Sequence, residues 1–482
     1  MIISKKNKIL LVSMISVLCV FVLIFKVGVS EAKEIDFKEA IKLGLEKNYE
    51  LNTIRNSIAE LERNLEILEA GESFQVDLNI TPIWIFSSNI ENRDYTVKMN
   101  ESSLTPSVEV NMTATSQLTD DISFSTEISW ESDSLYQDFS DLTDEINANL
   151  TLNKRVYPDS WSENEKQAYS LKNSLQIKLE ELKWEEMEKQ IEFIGDYFNV
   201  LRLQEQLSIV EERRDLTQEE LNKVNRKIEL GEGGYQQESE ALIALKEIEN
   251  SLLNQQQALT RAKKEWYLSL NLSQDTVVVF EENIDFINDL YSRMNSLELN
   301  DENKSKLIKI ALEENYKIKN SLLEKEELIK ELKWTENEGK TKVNLSGGYQ
   351  FPADWFVMLD FQINLLDGGV QRLKEEQKES NIRQKEVSIS YLNEQTKLEA
   401  EYLLDQDEYN TFNWDIQQMS LEKEQDKIGI MEKQYNQGII STSNWKNATL
   451  TLREKEIKVK QAKDEWFINR LELAHFIGYL QK

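Results

Sequence analysis

Two stretches of the chain alternate between apolar and polar residues with a period of two. In residues 76–155 the apolar positions include Val76, Leu78, Ile80, Val110, Met112, Phe124, Ile128, Leu150 and Leu152, and in residues 343–366 they include Val343, Leu345, Val357, Leu359 and Phe361. Successive side chains of a β-strand point to opposite faces of its sheet. The alternation therefore predicts four strands in the first stretch and two in the second, each with one apolar face.

Outside these stretches, apolar residues recur at steps of three and four, which is the spacing of a helix face. The four prolines all fall in or beside the strand-like stretches: Pro82, Pro106, Pro158 and Pro352. We therefore predict one uninterrupted helix from about residue 159 to 230 and another from about 369 to 437. At ~1.5 Å per residue each helix is roughly 100 Å long, so the two are expected to lie along one another as in a coiled coil.

The chain also repeats itself. Residues 41–49 (IKLGLEKNY) return as 308–316 (IKIALEENY), and residues 262–266 (AKKEW) return as 462–466 (AKDEW). We predict two internal repeats, 33–300 and 301–482, each with a helix, a strand-like stretch, a long helix, a glycine turn near residue 231 or 438, and a second helix. Residues 272–300 are expected to be a short linker.

Residues 1–32 have the layout of a secretory signal peptide. Lysines at positions 5, 6 and 8 precede the apolar run 9–25, and Ser30-Glu31-Ala32 offers a cleavage site. The alternative is a retained N-terminal anchor. Cys19, the only cysteine of the chain, lies in this segment, so a mature chain would contain no disulfide.

Charge narrows the list of partners. The formal net charge of −30 argues against nucleic acid as a partner.

Strands with one apolar face belong either to a half-buried soluble sheet or to the wall of an outer-membrane barrel. The signal peptide and the very long helices favour the barrel.

The sequence gives no sign of catalysis. His475 is the only histidine, and no second histidine or cysteine in the mature chain could complete a metal site with it, so a packed helix residue is favoured over a base or ligand. Gly231-Glu232-Gly233-Gly234 lacks the Lys-Ser/Thr of a phosphate loop and is interpreted as a turn between helices. The acidic residues are embedded in helical charge patterns. We predict no enzyme, no cofactor and no metal.

Three motifs follow one another along the chain: the opening helix at 37–51, the corner Leu366-Asp367-Gly368-Gly369, and the turn Tyr435-Asn436-Gln437-Gly438-Ile439-Ile440-Ser441. In type and order they resemble the TolC-like outer-membrane efflux protein family, and the resemblance covers residues 34–481. The resemblance implies an α+β membrane protein: a homotrimeric transmembrane β-barrel in the outer membrane, in contact with its lipid and continuous with a periplasmic α-barrel of long helices. The family usually contributes four strands per protomer, so residues 106–130 are expected to be an added hairpin, either in the wall or folded over the barrel mouth.

The resemblance also implies a function. The chain would be the passive exit duct of a tripartite efflux or type I secretion system, opened by a periplasmic adaptor (membrane fusion) protein and an inner-membrane pump. The rival interpretation is a secreted coiled-coil spacer that transports nothing.

Two sets of site residues follow. The adaptor-docking tips would be formed by Gly231, Gly233, Gly234, Tyr435, Gly438, Ile439 and Ile440, which could instead only pack their turns. Family members often carry aspartates after the second tip, forming acidic rings at the periplasmic entrance. Here those positions hold Asn444 and Asn447, which predict an uncharged gate supported by Trp445, unless the asparagines face neighbouring helices.

Overall fold

The computed structural model describes residues 33–72, 75–87, 103–119, 122–132, 146–158, 161–272, 276–282, 284–296, 301–351 and 354–481. The predicted signal peptide and the turn residues Asp120 and Asp121 lie outside the described residues. Two compact units are formed, and each takes segments from both halves of the chain. The helical unit comprises residues up to Thr53, Leu182–Asn315 and residues from Gln395 onward, and the sheet unit comprises Ile54–Glu181 and Tyr316–Glu394.

The described residues form nine α-helices, which are α1 (Phe37–Lys47), α2 (Tyr49–Glu72), α3 (Glu163–Glu229), α4 (Tyr235–Ser269), α5 (Asp285–Asn295), α6 (Asp301–Glu314), α7 (Tyr316–Glu338), α8 (Val370–Asn436) and α9 (Thr442–Phe476). Helices α3 and α8 have 67 residues each, which confirms the two predicted long helices to within about a turn. None of the helices in this part of the chain is long and apolar enough to cross a membrane.

Six antiparallel strands form one sheet, and they are hydrogen-bonded side by side in the order in which they follow one another along the chain. The strands are β2 (Gln75–Ser87), β3 (Ser103–Thr119), β4 (Ile122–Ser132), β5 (Ile146–Tyr157), β7 (Lys342–Phe351) and β8 (Asp354–Gln362). These are the strands that the alternation predicts. Strands β3 and β4, which contain the described residues of the hairpin predicted at 106–130, lie within the sheet between β2 and β5.

The register of the sheet matches apolar residues with apolar residues. Leu78 lies opposite Met112, which lies opposite Ile128, and Leu150 lies opposite Tyr349, which lies opposite Trp355. Directly opposed residues share a face, so these sets form one surface, which we call the apolar sheet face. Many of its side chains are exposed in the single chain, including Val76, Leu78, Ile80, Leu150, Leu152, Leu345, Phe351, Trp355, Val357, Leu359 and Phe361.

The helical unit has an aromatic core between α1, α3, α4 and α9. Trp266 is fully buried and its Nε1 donates to the carbonyl of Phe193 at 3.0 Å. The Tyr197 hydroxyl donates to the carbonyl of Glu281 at 3.0 Å and accepts from its backbone N–H at 2.7 Å. Burial raises the pKa of Tyr197 to about 12. Because their polar atoms are satisfied, these rings contribute the full hydrophobic gain of burial, roughly 2–3 kcal/mol each.

The segment predicted to be a linker contains regular structure instead. Strand β6 (Thr276–Val278) pairs in parallel with β1 (Lys33–Ile35), and α5 buries Ile287 and Met294. The linker prediction for residues 272–300 was therefore wrong. The two buried residues lie seven positions apart, two helical turns, and so short a pattern gives little periodic signal.

Candidate functional site

Both long helices end in the same local geometry. At the end of α3 and of α8, a glycine N–H bonds the carbonyl three residues earlier, and the following N–H bonds the carbonyl five residues earlier, at 2.8–2.9 Å. This is the Schellman motif, which requires a left-handed residue. Gly231 has φ +79° and Gly438 has φ +75°, so glycine avoids the strain that a β-carbon would cause at either position.

Ion pairs between α3 and α9 show that the two turns lie at the same end of the helical unit. Successive pairs along the two antiparallel helices are Glu205–Lys460 at 2.7 Å, Arg213–Glu454 at 2.9 Å and Glu219–Lys446 at 3.7 Å. From the first pair to the third, the α3 residue lies closer to Gly231 and the α9 residue lies closer to Gly438. The two glycine turns are therefore at the same end.

The first turn is built for close packing of its backbone and leaves apolar side chains outside. A β-carbon on Gly233 would lie 2.8 Å from Cγ1 of Ile228, so only glycine fits without a shift there. Gly234 is the N-cap of α4 and offers no side-chain bond to the helix. Leu230 is 75% exposed and Tyr235 is 83% exposed. Neither residue was predicted from the sequence as part of the tip, although both flank the glycines.

The second turn presents a similar surface. Ile439 is 64% exposed and Ile440 is half-buried. The rings of Tyr435 and Trp445 stack with centroids 5.7 Å apart and planes 11° apart, across the turn from α8 to α9. Gly438 has open space where a β-carbon would lie. The structure thus brings the tip residues of the second turn together and leaves part of their apolar surface exposed.

The predicted gate residues lie on the first turns of α9. Ser441 caps this helix by accepting from the Asn444 N–H at 3.1 Å. Asn444 and Asn447 are exposed and three residues apart, so they share a helix face. Within the described part of the chain neither side-chain amide has a hydrogen-bond partner. The buried side of α9 faces α3 instead, where Leu450 packs with Ile209 and Leu216.

Sequence reasoning missed a buried charge network at Arg202. This side chain is 5% exposed, and it donates to Asp464 at 2.7 and 3.4 Å, to Glu205 at 3.0 Å and to Glu282 at 3.3 Å. Burial alone would lower the pKa of Arg202, but these hydrogen bonds raise it. The sequence contains one sign of this network. The repeated segment has a lysine, Lys264, in its first copy and an acidic residue, Asp464, at the same position of its second copy.

His475 is a packed helix residue, as the sequence favoured. It is 5% exposed, and its ring centroid lies 4.0 Å from that of Trp184. Among the described residues, no group of three or more histidine, cysteine, aspartate or glutamate side chains is arranged to hold a metal ion.

Comparison with known proteins identifies the fold. No family model matches the sequence, and no curated protein matches it. Solved structures do match. The CmeC outer membrane channel of Campylobacter jejuni has a TM-score of 0.62 at 11% identity, over 92% of this chain and 85% of that chain. The outer membrane protein VceC of Vibrio cholerae has a TM-score of 0.59 at 11% identity, over 92% and 95%.

A third structure, the open state of the MtrE outer membrane channel of Neisseria gonorrhoeae, has a TM-score of 0.59 at 10% identity, over 91% of this chain and 88% of that chain. At such low identity the likeness shows the fold alone. The chain has the fold of TolC-like outer-membrane channels, and the resemblance predicted from its sequence is confirmed at that level.

Proposed function

We propose that this chain is one protomer of a passive exit duct in the outer membrane, assembled as a homotrimer and opened by a periplasmic adaptor and an inner-membrane pump. One observation carries the proposal: a six-stranded sheet presents an exposed apolar face in a chain with an outer-membrane channel fold. Soluble proteins rarely leave so extensive an apolar surface uncovered. Lipid contact accounts for it, because barrel walls alternate between lipid-facing and lumen-facing residues.

The test is single-channel recording in planar bilayers with the purified protein. We expect discrete conductance steps, whereas a secreted coiled-coil spacer produces none. A matched control is the variant Val357→Asp with Leu359→Asp, which places charges on the apolar sheet face of β8. An aspartate that faces lipid costs up to ~2 kcal/mol, depending on its depth in the bilayer, so this variant should insert poorly. Absence of steps from correctly folded wild-type protein would refute the duct.

The sheet supports a barrel larger than twelve strands. Its edge strands are β2 and β8, so three copies joined edge to edge would close 18 strands. With strands ~4.8 Å apart and tilted ~40°, such a barrel is roughly 35 Å across, against roughly 24 Å for twelve strands. Exclusion of polyethylene glycols added on the extracellular side measures this width. A size cut-off matching the narrower barrel would contradict the 18-strand closure.

The two glycine turns are proposed as the adaptor-docking tips. A tryptophan at position 438 meets open space and costs only the strain of positive φ, ~1–2 kcal/mol, so Gly438→Trp should block adaptor binding while the trimer persists. Gly429→Trp is the matched control, since position 429 also has open space but lies within α8. Adaptor binding is followed by co-purification. If Gly438→Trp abolishes the trimer, these residues only pack the turn.

Asn444 and Asn447 are proposed as an uncharged entrance ring, brought together by threefold symmetry. Asparagine retains hydrogen bonding but offers no charge to a multivalent cation. We expect no block of wild-type conductance by micromolar trivalent cations from the periplasmic side, and block of the variant Asn444→Asp with Asn447→Asp. Micromolar block of the wild type that disappears in Asn444→Ala with Asn447→Ala would contradict this gate.

A further inference from the structure

The sheet unit contains a cavity of about 850 Å³ at the end of the strands from which α3 and α8 begin. Its lining residues come from β5, β7 and the starts or ends of α3, α7 and α8, and they include four cations: Arg155, Lys166, Lys342 and Lys374. Three acidic residues also line it: Glu163, Glu338 and Asp367. A local excess of positive charge is unusual in a chain whose formal net charge is −30.

The acidic residues of the cavity are already engaged. Lys166 lies 2.7 Å from Glu163 and 2.9 Å from Glu338, so both carboxylates are paired with the same ammonium group. Asp367 accepts from the N–H groups of Gly369 and Gln371, each at 2.9 Å, and thereby caps α8. The four cations and three carboxylates of the cavity therefore leave a formal net charge of +1.

Lys342 and Lys374 are different. In the part of the chain that the structure describes, neither ammonium group has a hydrogen-bond or ion-pair partner. Lys342 lies at the last rung of the sheet, opposite Gln362, and Lys374 lies in the second turn of α8. Two unneutralised ammonium groups that line one cavity form a site for an anion with several oxygen acceptors, and a phosphate group has that chemistry.

A neighbouring aromatic cluster indicates which kind of molecule carries the phosphate. The rings of Trp161, Tyr169 and Trp334 lie with centroids 5.4–6.1 Å apart, and the Lys330 ammonium lies 3.6 Å from the centroid of Tyr169. Lys166 joins the cluster to the cavity, since it lines the cavity and lies 5.9 Å from the centroid of Trp334. Tryptophan and tyrosine with adjacent lysine are typical of the level of lipid headgroups in membrane proteins.

We infer that this cavity binds the phosphate of a phospholipid headgroup, with Lys342 and Lys374 as its cationic ligands and the aromatic cluster beside the glycerol level. The inference rests on the proposed function, because that function puts the apolar sheet face in lipid and thus puts this end of the strands at the membrane surface. The site would fix the height of the sheet in the bilayer by electrostatic contact in addition to hydrophobic contact.

The test is native mass spectrometry of the detergent-purified protein titrated with dioleoyl phosphatidylglycerol. A lysine near a membrane surface contributes about fivefold in affinity, so Lys342→Gln with Lys374→Gln should weaken binding on the order of 30-fold. Lys397→Gln with Lys423→Gln is the matched control: both lysines are exposed on α8, outside the cavity, and the change in net charge is the same. This control should bind like the wild type.

Two further arms identify what is recognised. Dioleoylglycerol has the same acyl chains without phosphate and should not bind; binding equal to that of phosphatidylglycerol overturns the inference. Millimolar inorganic phosphate is added as a competitor. If inorganic phosphate displaces the lipid, the site recognises phosphate and also binds the free anion. If it does not displace the lipid, the site requires a headgroup that is anchored in the membrane.

Equal affinity of the wild type and of the Lys342/Lys374 variant for phosphatidylglycerol overturns the site. The outcome is separable from the duct itself. If wild-type protein conducts in bilayers while the lysine pair has no effect on lipid affinity, only the site fails. If wild-type protein forms no channels, the proposed function fails, whatever the lipid titration shows. The assembly mass in the same spectra reports whether each variant remains folded and associated.

Discussion

Acidification should destabilise the helical unit through His475. Its ring packs against Trp184, and neither ring nitrogen has a hydrogen-bond partner among the described residues. A charged imidazole in this position would lose its hydration without gaining an acceptor. Burial therefore lowers the pKa of His475 from its ordinary value of 6.5 to about 4.

The sign and size of the effect follow from linkage. Between pH 6.5 and 4 the unfolded chain binds a proton at this residue and the folded chain does not, so the free energy of unfolding falls as pH falls through that window. The slope approaches ~1.4 kcal/mol per pH unit, and the whole loss is about 3 kcal/mol. Glu472, one turn earlier on α9, acts in the opposite sense, because burial raises its pKa and its protonation favours the folded state.

The assay uses the fact that His475 is the only histidine of the chain, so ¹³C-histidine NMR reads its titration without overlap. Tryptophan fluorescence follows unfolding in denaturant at pH 7 and pH 5. In His475→Leu the loss of unfolding free energy between pH 7 and pH 5 that the imidazole causes should disappear. The unfolding free energy of this variant at pH 7 should stay within about 1 kcal/mol of the wild-type value, since the substitution removes two unsatisfied nitrogens together with one ring contact. Phe476→Leu is the control that retains the acid loss. A histidine pKa near 6.5 in the folded protein refutes the reasoning.

Two other substitutions test the packing of the helical unit. Gly44→Ala should lower the unfolding free energy by about 1–3 kcal/mol, because the added β-carbon overlaps the buried side chain of Leu270. Denaturant titration measures this loss, and an unchanged midpoint would contradict the close approach of Gly44 to Leu270. Asp464→Asn should lower the unfolding free energy by about 2 kcal/mol, less than the usual loss for a broken buried pair, because Arg202 retains two other carboxylates. If Arg202 is also changed to Met, most of this loss should be recovered. Two additive losses would show that the two residues are uncoupled.

The six strands and their apolar faces could be predicted from the sequence, for a physical reason. A strand with one apolar face tolerates no slip of one residue, since a slip would exchange its faces. The alternation therefore places Leu78, Met112 and Ile128 on one face, whereas their pairing across three strands is known only from the structure, because a slip of two residues would keep the same faces. The long helices were predictable for a similar reason, because each continues through many turns without a proline.

The charged sites could not be predicted in the same way, because their partners are distant in sequence. Arg202 and Asp464 are 262 residues apart, and each lies in a helix crowded with other charges. Only packing decides which of these charges is buried. The cavity near Lys342 and Lys374 likewise depends on three segments meeting at the end of the sheet. Periodicity identifies elements, whereas these sites arise from contacts between elements.

The two similar sequence segments do not belong to separate compact units, since each unit takes segments from both halves of the chain. Trp266 and Trp466 occupy equivalent positions in the two copies, and both are buried in the same core of the helical unit. Their surroundings differ: Trp266 bonds the carbonyl of Phe193, whereas Trp466 packs on Trp414 and Tyr291. Each copy alone would expose the surface that the other covers. The similar segments around Trp266 and Trp466 therefore contribute to one core of the helical unit.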